Sequence, residues 1–278
     1  RGLYTGSIGY LAPNGDFAFN VAIRTAVIVA DGRGEIGIGG GIVADSKPDD
    51  EYAEALLKLR FLSDPTPPVT LIETFRWTPD EGYALLERHL DRLTDSAAYF
   101  ALPVTRHEAR AYLEAAALGW IGPMRVRLTL SETGLEHTAA PLPPNPASFR
   151  FALARERMDS TSLWLAHKTT NRAFYDGPRQ EAHAKRGLDE LVFLNERGEL
   201  TEGSFTSLFL ERGGRLLTPA LSSGLLPGTL RAQLLAEGRA EEQVLTLADL
   251  MAAEAIWLGN SVRGLIPAQW VDREITNT

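Results

Sequence analysis

The sequence predicts an α+β protein in which a β-rich part, residues 1–62, precedes two α/β subdomains at residues 69–158 and 159–278. Short β-forming runs with many glycines fill the first part. A stretch without periodicity, SDPTPPV, contains three prolines and indicates a linker at residues 63–68. Beyond it, helical and strand patterns alternate. The length of 278 residues is typical of about two domains.

The first 62 residues predict three or four strands and one helix. Asn14-Gly15 and Asp31-Gly32 indicate hairpin turns between β-forming runs. After Pro48, apolar residues at helical spacing follow a group of acids and predict a helix, the apolar positions being Tyr52, Leu56, Leu59 and Leu62. We expect one sheet face to need cover from elsewhere, because so short a segment supplies little core.

The next segment predicts the first α/β subdomain. A strand, VTLIETFRW, leads into a long amphipathic helix, EGYALLERHLDRLTDSAAYF, and a second helix is predicted near residues 105–118. Two further strands, MRVRLTL and SFRFALARE, complete this unit.

The remainder predicts a second alternating unit. A helix extends to about residue 185, and the strands DELVFLNERGEL and SFTSLFLERGGRLLTP follow it. Then come a helix at 228–237, a strand QVLTL, a short helix at 247–252 and a strand AEAIWLGN.

Composition excludes several classes of function. A net charge of −8 provides no basic surplus to neutralise phosphates, which argues against nucleic acid or an anionic membrane as partner. The absence of cysteine excludes disulfides and thiolate metal sites, and it is compatible with the cytoplasm. No apolar run reaches membrane-spanning length. The sequence starts at Arg1, directly in strand-like sequence, which is typical of a fragment or a processed chain.

Lys168 is the first candidate for chemistry. It stands in LWLAHKTTNRAFYD, which has neither a clean helical nor a clean strand pattern. Most lysines are solvated at the surface. The alternative is a desolvated amine of lowered pKa, which can form a Schiff base with a carbonyl compound or with pyridoxal phosphate.

Other residues would complete a pyridoxal phosphate site. Glu202, in ELTEGSFTSLFL, could supply the carboxylate that keeps a pyridine nitrogen protonated, although a glutamate at a strand entry is usually solvated. Gly228 and Thr229 begin a predicted helix whose amide groups could bind phosphate, or they form a plain loop. Asn260 and Ser261 could add hydrogen bonds at a strand end. Arg92 is the candidate cation, although an arginine on an amphipathic helix is most often solvated.

These segments resemble the class IV pyridoxal-phosphate aminotransferases. The motifs are HLDRLTDSA, HKTTNRAFYD, ELTEGSFTSLFL, GLLPGTLR and IWLGNSVRGLIPA, in that order over residues 69–278. This group contains branched-chain and D-amino acid aminotransferases and 4-amino-4-deoxychorismate lyase. The resemblance implies a class IV fold of two α/β subdomains and a homodimer.

The resemblance also implies roles for single residues. Lys168 corresponds to the lysine that bonds the cofactor, Glu202 to the acid on the pyridine nitrogen and Arg92 to the phosphate arginine. The remaining phosphate contacts correspond to Gly228, Thr229, Asn260 and Ser261. At the substrate face, Thr74 resembles a threonine of the lyases, and Arg127 is a candidate for binding a substrate carboxylate.

Residues 1–62 resemble the C-terminal end of chorismate-utilising enzymes, specifically component I of para-aminobenzoate synthase. GSIGY, FNVAIRT, GIGGGIVADS and EYAEALLK carry this likeness. It implies that Arg24 and glycines 39–41 hold chorismate carboxylates, that Glu54 is a magnesium ligand and that Lys58 lies near the substrate. Glu54 and Lys58 could equally form a surface ion pair. The upstream part with the other magnesium-binding acid is absent, so magnesium is expected only with the full domain.

Together the two resemblances imply a lyase that releases pyruvate and 4-aminobenzoate from aminodeoxychorismate, as part of a bifunctional enzyme of folate synthesis. A glutamine amidotransferase subunit is a candidate partner of the full-length protein. One alternative is a transaminase of branched-chain or D-amino acids. The other is a non-catalytic module, which we would expect to lack the lysine or the acid of the site. The sequence contains both, Lys168 and Glu202, which argues against this alternative.

Overall fold

The structure is a computed structural model that describes residues 2–63 and 68–272. Contacts divide the chain into two compact units, Arg1–Pro67 and Pro68–Thr278. Residues 64–67 of the predicted linker lie outside the described residues, and Ser63 is the last residue of a helix.

The N-terminal unit consists of two hairpins and a helix. The hairpins pair β1 (Ser7–Leu11) with β2 (Phe17–Val21) and β3 (Ala26–Ile28) with β4 (Gly34–Ile36), both antiparallel. Helix α1 spans Pro48–Ser63. Gly15 and Gly32 have φ angles of 91° and 86° and form the turns predicted from the two X-Gly pairs. Every residue of β1 and β2 is exposed, so this unit leaves apolar strand faces uncovered.

The C-terminal unit begins with a four-stranded antiparallel sheet in the order β6-β5-β7-β8. Its strands are β5 (Leu71–Thr78), β6 (Gly82–Tyr83), β7 (Met124–Ser131) and β8 (Gly134–Pro141). Helices α2 (Leu86–Tyr99) and α3 (Arg106–Ala116) cover one face. The core between them includes Phe75, Leu90, Leu113 and Leu128, all fully buried.

An eight-stranded mixed sheet forms the rest of this unit, in the order β11-β10-β9-β16-β15-β12-β13-β14. Its strands are β9 (Phe149–Met158), β10 (Glu190–Asn195), β11 (Leu200–Gly203), β12 (Ser207–Arg212), β13 (Arg215–Pro219), β14 (Ala240–Gln243), β15 (Ala255–Asn260) and β16 (Gly264–Trp270).

The connections between these strands contain four helices and one 3₁₀ turn. The helices are α4 (Leu163–Ala166), α5 (Ala173–Arg186), α6 (Thr229–Ala236) and α7 (Leu247–Ala252), and the 3₁₀ turn is Leu221–Ser223. The predicted helix end near residue 185 and the helices predicted at 228–237 and 247–252 are confirmed within about one residue, whereas the start of α5 was not predicted.

Sheet pairing corrects one predicted boundary. Residues 149–158 were predicted to belong to the first subdomain, whereas β9 pairs in parallel with β10 and β16 of the eight-stranded sheet. The second subdomain therefore begins near Phe149. A strand's own pattern does not say which strands will pair with it.

Three strands, β6, β8 and β16, are absent from the sequence-based prediction, which places the two residues of β6 in the long helix. β8 consists mainly of exposed residues, so it lacks the apolar alternation of a half-buried strand. β16 contains Pro267, and a proline within a run of residues argues against a strand when only the sequence is read.

None of the helices in the described ranges has the length and apolar character that crossing a membrane requires.

We predict that Leu90→Ala destabilises the C-terminal unit by about 2–5 kcal/mol, because it opens a cavity in the fully buried core beneath α2. Urea unfolding followed by circular dichroism measures the change. Leu118→Ala is the matched control, since this leucine is 82% exposed. Equal midpoints for the two variants would contradict the packing of α2 described here.

Candidate active site

A cavity of about 710 Å³ opens between residues of the two sheets of the C-terminal unit. The structure brings together at this cavity every site residue predicted for this unit: Thr74, Arg92, Arg127, Lys168, Glu202, Gly228, Thr229, Asn260 and Ser261.

Lys168 follows the short helix α4 and lies on a segment that crosses to the four-stranded sheet. Its backbone carbonyl accepts a hydrogen bond of 2.8 Å from the amide of Ile72, and the Thr170 amide donates to Thr70 at 2.9 Å. An isolated bridge joins Leu71 and Thr169 in the same place. These bonds explain why the local sequence has no regular pattern, since the backbone is held by a neighbouring sheet rather than by its own periodicity.

Burial lowers the pKa of the Lys168 amine to about 8, because a charged ammonium loses its hydration there. The neighbouring cations Arg92 and Arg172 lower the pKa further, whereas Glu73 and Glu202 oppose the shift. A larger fraction of the amine is therefore unprotonated and nucleophilic near neutral pH than for a solvated lysine.

Glu202 is a buried acid with neutral hydrogen-bond donors. Its side chain accepts hydrogen bonds from the Leu226 amide at 3.0 Å and from the Tyr175 hydroxyl at 2.8 Å. Burial raises the pKa of this carboxyl to about 7, although the two hydrogen bonds and the charge of Lys168 work against the rise. Glu202 can therefore share one proton with a basic ligand atom in the cavity.

A second buried acid, Glu190, organises the loop after Glu202. Its carboxylate accepts hydrogen bonds from the backbone amides of Ser204 (2.9 Å) and Phe205 (3.2 Å), from the Thr206 hydroxyl at 2.8 Å and from the Ser204 hydroxyl. A Cβ atom on Gly203 would lie 2.2 Å from Thr206 Oγ1, so only glycine fits between the acid and the loop.

One end of the cavity presents the start of helix α6. Gly228 is its N-cap and has no side chain that could cap the first amides. Gly228, Thr229 and Leu230 line the cavity. The first amides of a helix lack intrahelical partners and attract anions.

Arg92 reaches the same end from α2. Its guanidinium donates to both oxygens of Glu73, at 2.8 and 2.6 Å, and to the carbonyl of Pro227 at 3.1 Å. Arg92 is therefore not the solvated surface arginine that its amphipathic helix also allowed, since only 10% of its side chain is exposed.

Ser261 and Asn260 play different parts at the strand end. The Ser261 hydroxyl lies 2.9 Å from His89 Nε2. The Asn260 side chain accepts from the amides of Val262 and Arg263 at 3.0 and 3.1 Å and so shapes the turn between β15 and β16.

Thr74 and Arg127 face the cavity from the four-stranded sheet. They lie directly opposite each other in the register of β5 and β7. Arg125, two residues along β7, also lines the cavity, and both arginines are exposed. An anion in the cavity can therefore be bound from this sheet.

The lining is cationic as a whole. Six arginines and Lys168 line the cavity against three acids, the arginines being 92, 125, 127, 172, 179 and 263 and the acids Asp176, Asp189 and Glu202. Such a surplus favours ligands with several negative charges.

Sequence reasoning missed four residues around the cavity: Glu73, His89, Tyr175 and Glu190. A signal existed for Glu73, because this acid lies on the strand face whose other residues are Leu71, Phe75 and Trp77. Tyr175 and His89 lie on amphipathic helices whose patterns do not single them out.

In the N-terminal unit, Glu54 forms an ion pair of 2.6 Å with Lys58, the alternative considered for this helix. Lys58 also donates to the carbonyl of Gly39 at 3.0 Å, so it does lie beside the glycines 39–41. Arg24 is exposed and has a φ of 52°. Within residues 2–63 and 68–272, no group of three or more histidine, cysteine or acidic side chains could hold a metal ion.

The donor set of the cavity in the C-terminal unit fits pyridoxal phosphate. The helix start and Arg92 supply amides and a cation for a phosphate, Lys168 a buried amine for an aldehyde, and Glu202 a carboxyl for a pyridine nitrogen. These are the groups that the cofactor needs, and all of them open into one cavity.

Comparison with known proteins decides the family. Residues 70–271 match the profile of amino-transferase class IV. The chain belongs to this family. Membership implies pyridoxal phosphate as the cofactor and makes the chain a pyridoxal-phosphate-dependent enzyme, so the resemblance and the fold class predicted from the sequence are confirmed.

Two solved structures resemble this class IV chain. A Mesorhizobium loti protein assigned provisionally as an amino-acid aminotransferase is 42% identical, with a TM-score of 0.69, and the match covers 73% of this chain and all of that one. The 4-amino-4-deoxychorismate lyase of Pseudomonas aeruginosa is 26% identical, with a TM-score of 0.59, over 74% of this chain and 87% of that one.

The N-terminal unit has separate relatives. Residues 1–64 match the profile of chorismate binding enzymes. The chloroplastic aminodeoxychorismate synthase of Arabidopsis thaliana is 55% identical over 60 residues, which are 22% of this chain and 6% of that protein. The chain thus spans a small part of this curated relative.

We predict that the rate at which the cofactor-free protein incorporates pyridoxal phosphate rises with pH and levels off above about 8, because the unprotonated amine of Lys168 is the attacking group. Stopped-flow absorbance of the lysine-bound cofactor from pH 6 to 10 measures it. After borohydride reduction, peptide mass spectrometry should find the adduct on Lys168 and not on the exposed Lys185. A rate still rising steeply near pH 10.5 would indicate a solvated lysine instead.

Proposed function

We propose that this chain is a 4-amino-4-deoxychorismate lyase that releases pyruvate and leaves 4-aminobenzoate. The observation that carries the proposal is the presence of a chorismate-binding segment in the same chain as a class IV domain. The amine-bearing product of chorismate amination is a suitable substrate for a neighbouring site with a buried amine and an electron sink.

The side chains of the cavity are assigned by their chemistry. Lys168 would hold the aldehyde of the cofactor, and its amine would accept and return the substrate protons that move during elimination. Its pKa of about 8 allows it both to accept and to give a proton near neutral pH. Bound pyridoxal phosphate would supply the electron sink. Glu202 would hold a proton for the pyridine nitrogen, and the Tyr175 hydroxyl orients Glu202.

The charge of the cavity supports a substrate with two carboxylates. Arg125 and Arg127 stand on one strand face with no acid within salt-bridge distance among the described residues. Arg179 also lines the cavity, and its buried Nε atom has no hydrogen-bond partner in the described part of the chain. A branched-chain amino acid carries one carboxylate and an apolar side chain, and it would leave these cations unused.

Transamination of amino acids is the second candidate. The Mesorhizobium loti protein, which matches over its whole length, favours it. Both reactions use the same lysine and acid, so the substrate-facing residues decide between them. The discriminating measurement is turnover of 2-oxoglutarate with an amino acid donor.

We expect the purified protein to release pyruvate and 4-aminobenzoate in equal amounts from aminodeoxychorismate, and Lys168→Ala to release neither. Coupled lactate dehydrogenase and fluorescence assays measure the two products. Transamination faster than lyase turnover would show that the protein is an aminotransferase. Lys185→Ala is the control for loss of a lysine and should keep full rate.

We predict that Glu202→Ala retains bound cofactor but loses most turnover, on the order of a hundredfold or more, because the phosphate contacts remain while the partner of the pyridine nitrogen is gone. Glu211→Ala removes an acid outside the cavity and serves as control. Steady-state kinetics at saturating cofactor measure both variants. Unimpaired turnover of Glu202→Ala would contradict the assignment of Glu202 as the partner of the pyridine nitrogen.

For the N-terminal unit we propose no chorismate chemistry in this chain. Glu54 is paired with Lys58, and one exposed carboxylate binds magnesium weakly. We expect the protein to form no product from chorismate, magnesium and ammonia, and deletion of residues 1–62 to leave the lyase rate within about a factor of three, since the class IV site draws its residues from the other unit. Synthesis of aminodeoxychorismate, or collapse of the rate on deletion, would contradict this.

A further inference from the structure

Glu73 is a charged group on the core face of the four-stranded sheet. Its neighbours Ile72 and Thr74 line the cavity, whereas Glu73 is only 1% exposed and points toward α2. An ionised carboxylate at such a place needs partners. It has three hydrogen bonds, two from Arg92 and one of 2.6 Å with His89 Nδ1.

The bidentate contact fixes the plane of the Arg92 guanidinium. Two parallel bonds to one carboxylate hold an arginine in a single orientation far better than one bond does. The third nitrogen is thereby directed to Pro227, immediately before the start of α6. Without Glu73, the long side chain of Arg92 would have several rotamers available beside this helix start.

His89 links the Glu73 carboxylate to two hydroxyl groups. Burial lowers the pKa of this imidazole, so the neutral ring donates from Nδ1 to Glu73 and accepts at Nε2. The Ser261 hydroxyl lies 2.9 Å from Nε2, and the Thr229 hydroxyl lies 3.3 Å from it. The single lone pair at Nε2 accepts one hydroxyl proton, and the Ser261 hydroxyl is the nearer donor, although it also lies 3.4 Å from the carbonyl of Thr74, a second acceptor.

Four separate segments meet in this network. Glu73 comes from β5, His89 and Arg92 from α2, Thr229 from α6 and Ser261 from the turn after β15. Three of the predicted phosphate ligands, Arg92, Thr229 and Ser261, are thus linked to one acid that itself does not line the cavity.

We propose that Glu73 is the positioning residue of the phosphate end of the site: it orients Arg92 directly and the Thr229 and Ser261 hydroxyls through His89. The inference rests on the proposed cofactor site and goes beyond it, since it assigns a role to two residues, Glu73 and His89, that bear neither on the aldehyde nor on the pyridine nitrogen.

The test compares pyridoxal phosphate with pyridoxal, which lacks the phosphate but presents the same aldehyde and ring. Spectrophotometric titration of the cofactor-free protein gives both dissociation constants. For Glu73→Gln, which keeps shape and removes charge, we expect the constant for pyridoxal phosphate to rise about ten- to a hundredfold. The constant for pyridoxal should stay within about threefold, because Lys168 and Glu202 are untouched.

The matched control is Glu199→Gln. Glu199 also accepts two bonds from one arginine, Arg197, at 3.0 and 2.8 Å, and neither residue lines the cavity. Both dissociation constants should remain at the values of the unchanged protein.

A double-mutant cycle tests the route through Arg92. In an Arg92→Gln background, Glu73→Gln should weaken pyridoxal phosphate binding far less than it does alone, since the group that it orients is gone. If Glu73→Gln does not fold, His89→Gln gives the same comparison without removing a buried charge, because it breaks the link from Glu73 to the two hydroxyls, and the loss should be smaller and restricted to pyridoxal phosphate.

Equal losses for the two ligands, or no loss for either, would overturn the positioning role and leave Glu73 with a function in stability alone. Failure of the unchanged protein to bind pyridoxal phosphate would overturn the proposed function itself, so the two failures are distinguishable.

Discussion

The buried amine of Lys168 is the constraint on which the arrangement of this protein depends. An ammonium in such a place loses hydration and is disfavoured further by Arg92 and Arg172, whereas the charges of Glu73 and Glu202 favour it. The result is an amine whose pKa of about 8 lies near neutral pH. The backbone bonds that tie the lysine segment to β5 keep the amine between the two sheets, where this balance of charges exists.

Glu73 and Glu202 are both buried, yet the groups that surround each carboxyl give the two acids different pKa values. Glu73 has a pKa of about 2, and Glu202 has one of about 7. Desolvation raises the pKa of both carboxyls, but the cation Arg92 and the His89 ring outweigh it at Glu73. At Glu202 the donors are a backbone amide and a phenol, which do not outweigh it. One acid is therefore a permanent charge suited to holding an arginine, and the other is suited to holding a proton.

The N-terminal unit follows different physics. Its two hairpins expose large apolar side chains, among them Leu11 at 73% and Phe17 at 70%. Strands of this kind normally pack against further layers of a sheet protein. The Arabidopsis relative is similar over 60 residues, which are 6% of its length. In this chain Glu54 and Lys58 form an ion pair with each other, and neither residue lines the pyridoxal phosphate site.

The sequence by itself determined the class of fold and most helices and strands, because local periodicity carries that information. Through its motifs and their family resemblance it also predicted that Lys168, Glu202, Arg92, Gly228 and Thr229 belong to one site, and the structure places all five at one cavity. The tertiary structure decided that β9 belongs to the eight-stranded sheet, through parallel pairing with β10 and β16, and that β8 and β16 are strands, through antiparallel pairing with their chain neighbours β7 and β15. The same holds for the bonds of Glu73, His89, Tyr175 and Glu190. Their partners lie 14 to 172 residues away, and the pKa of each depends on burial, which arises only when the two sheets close around the cavity.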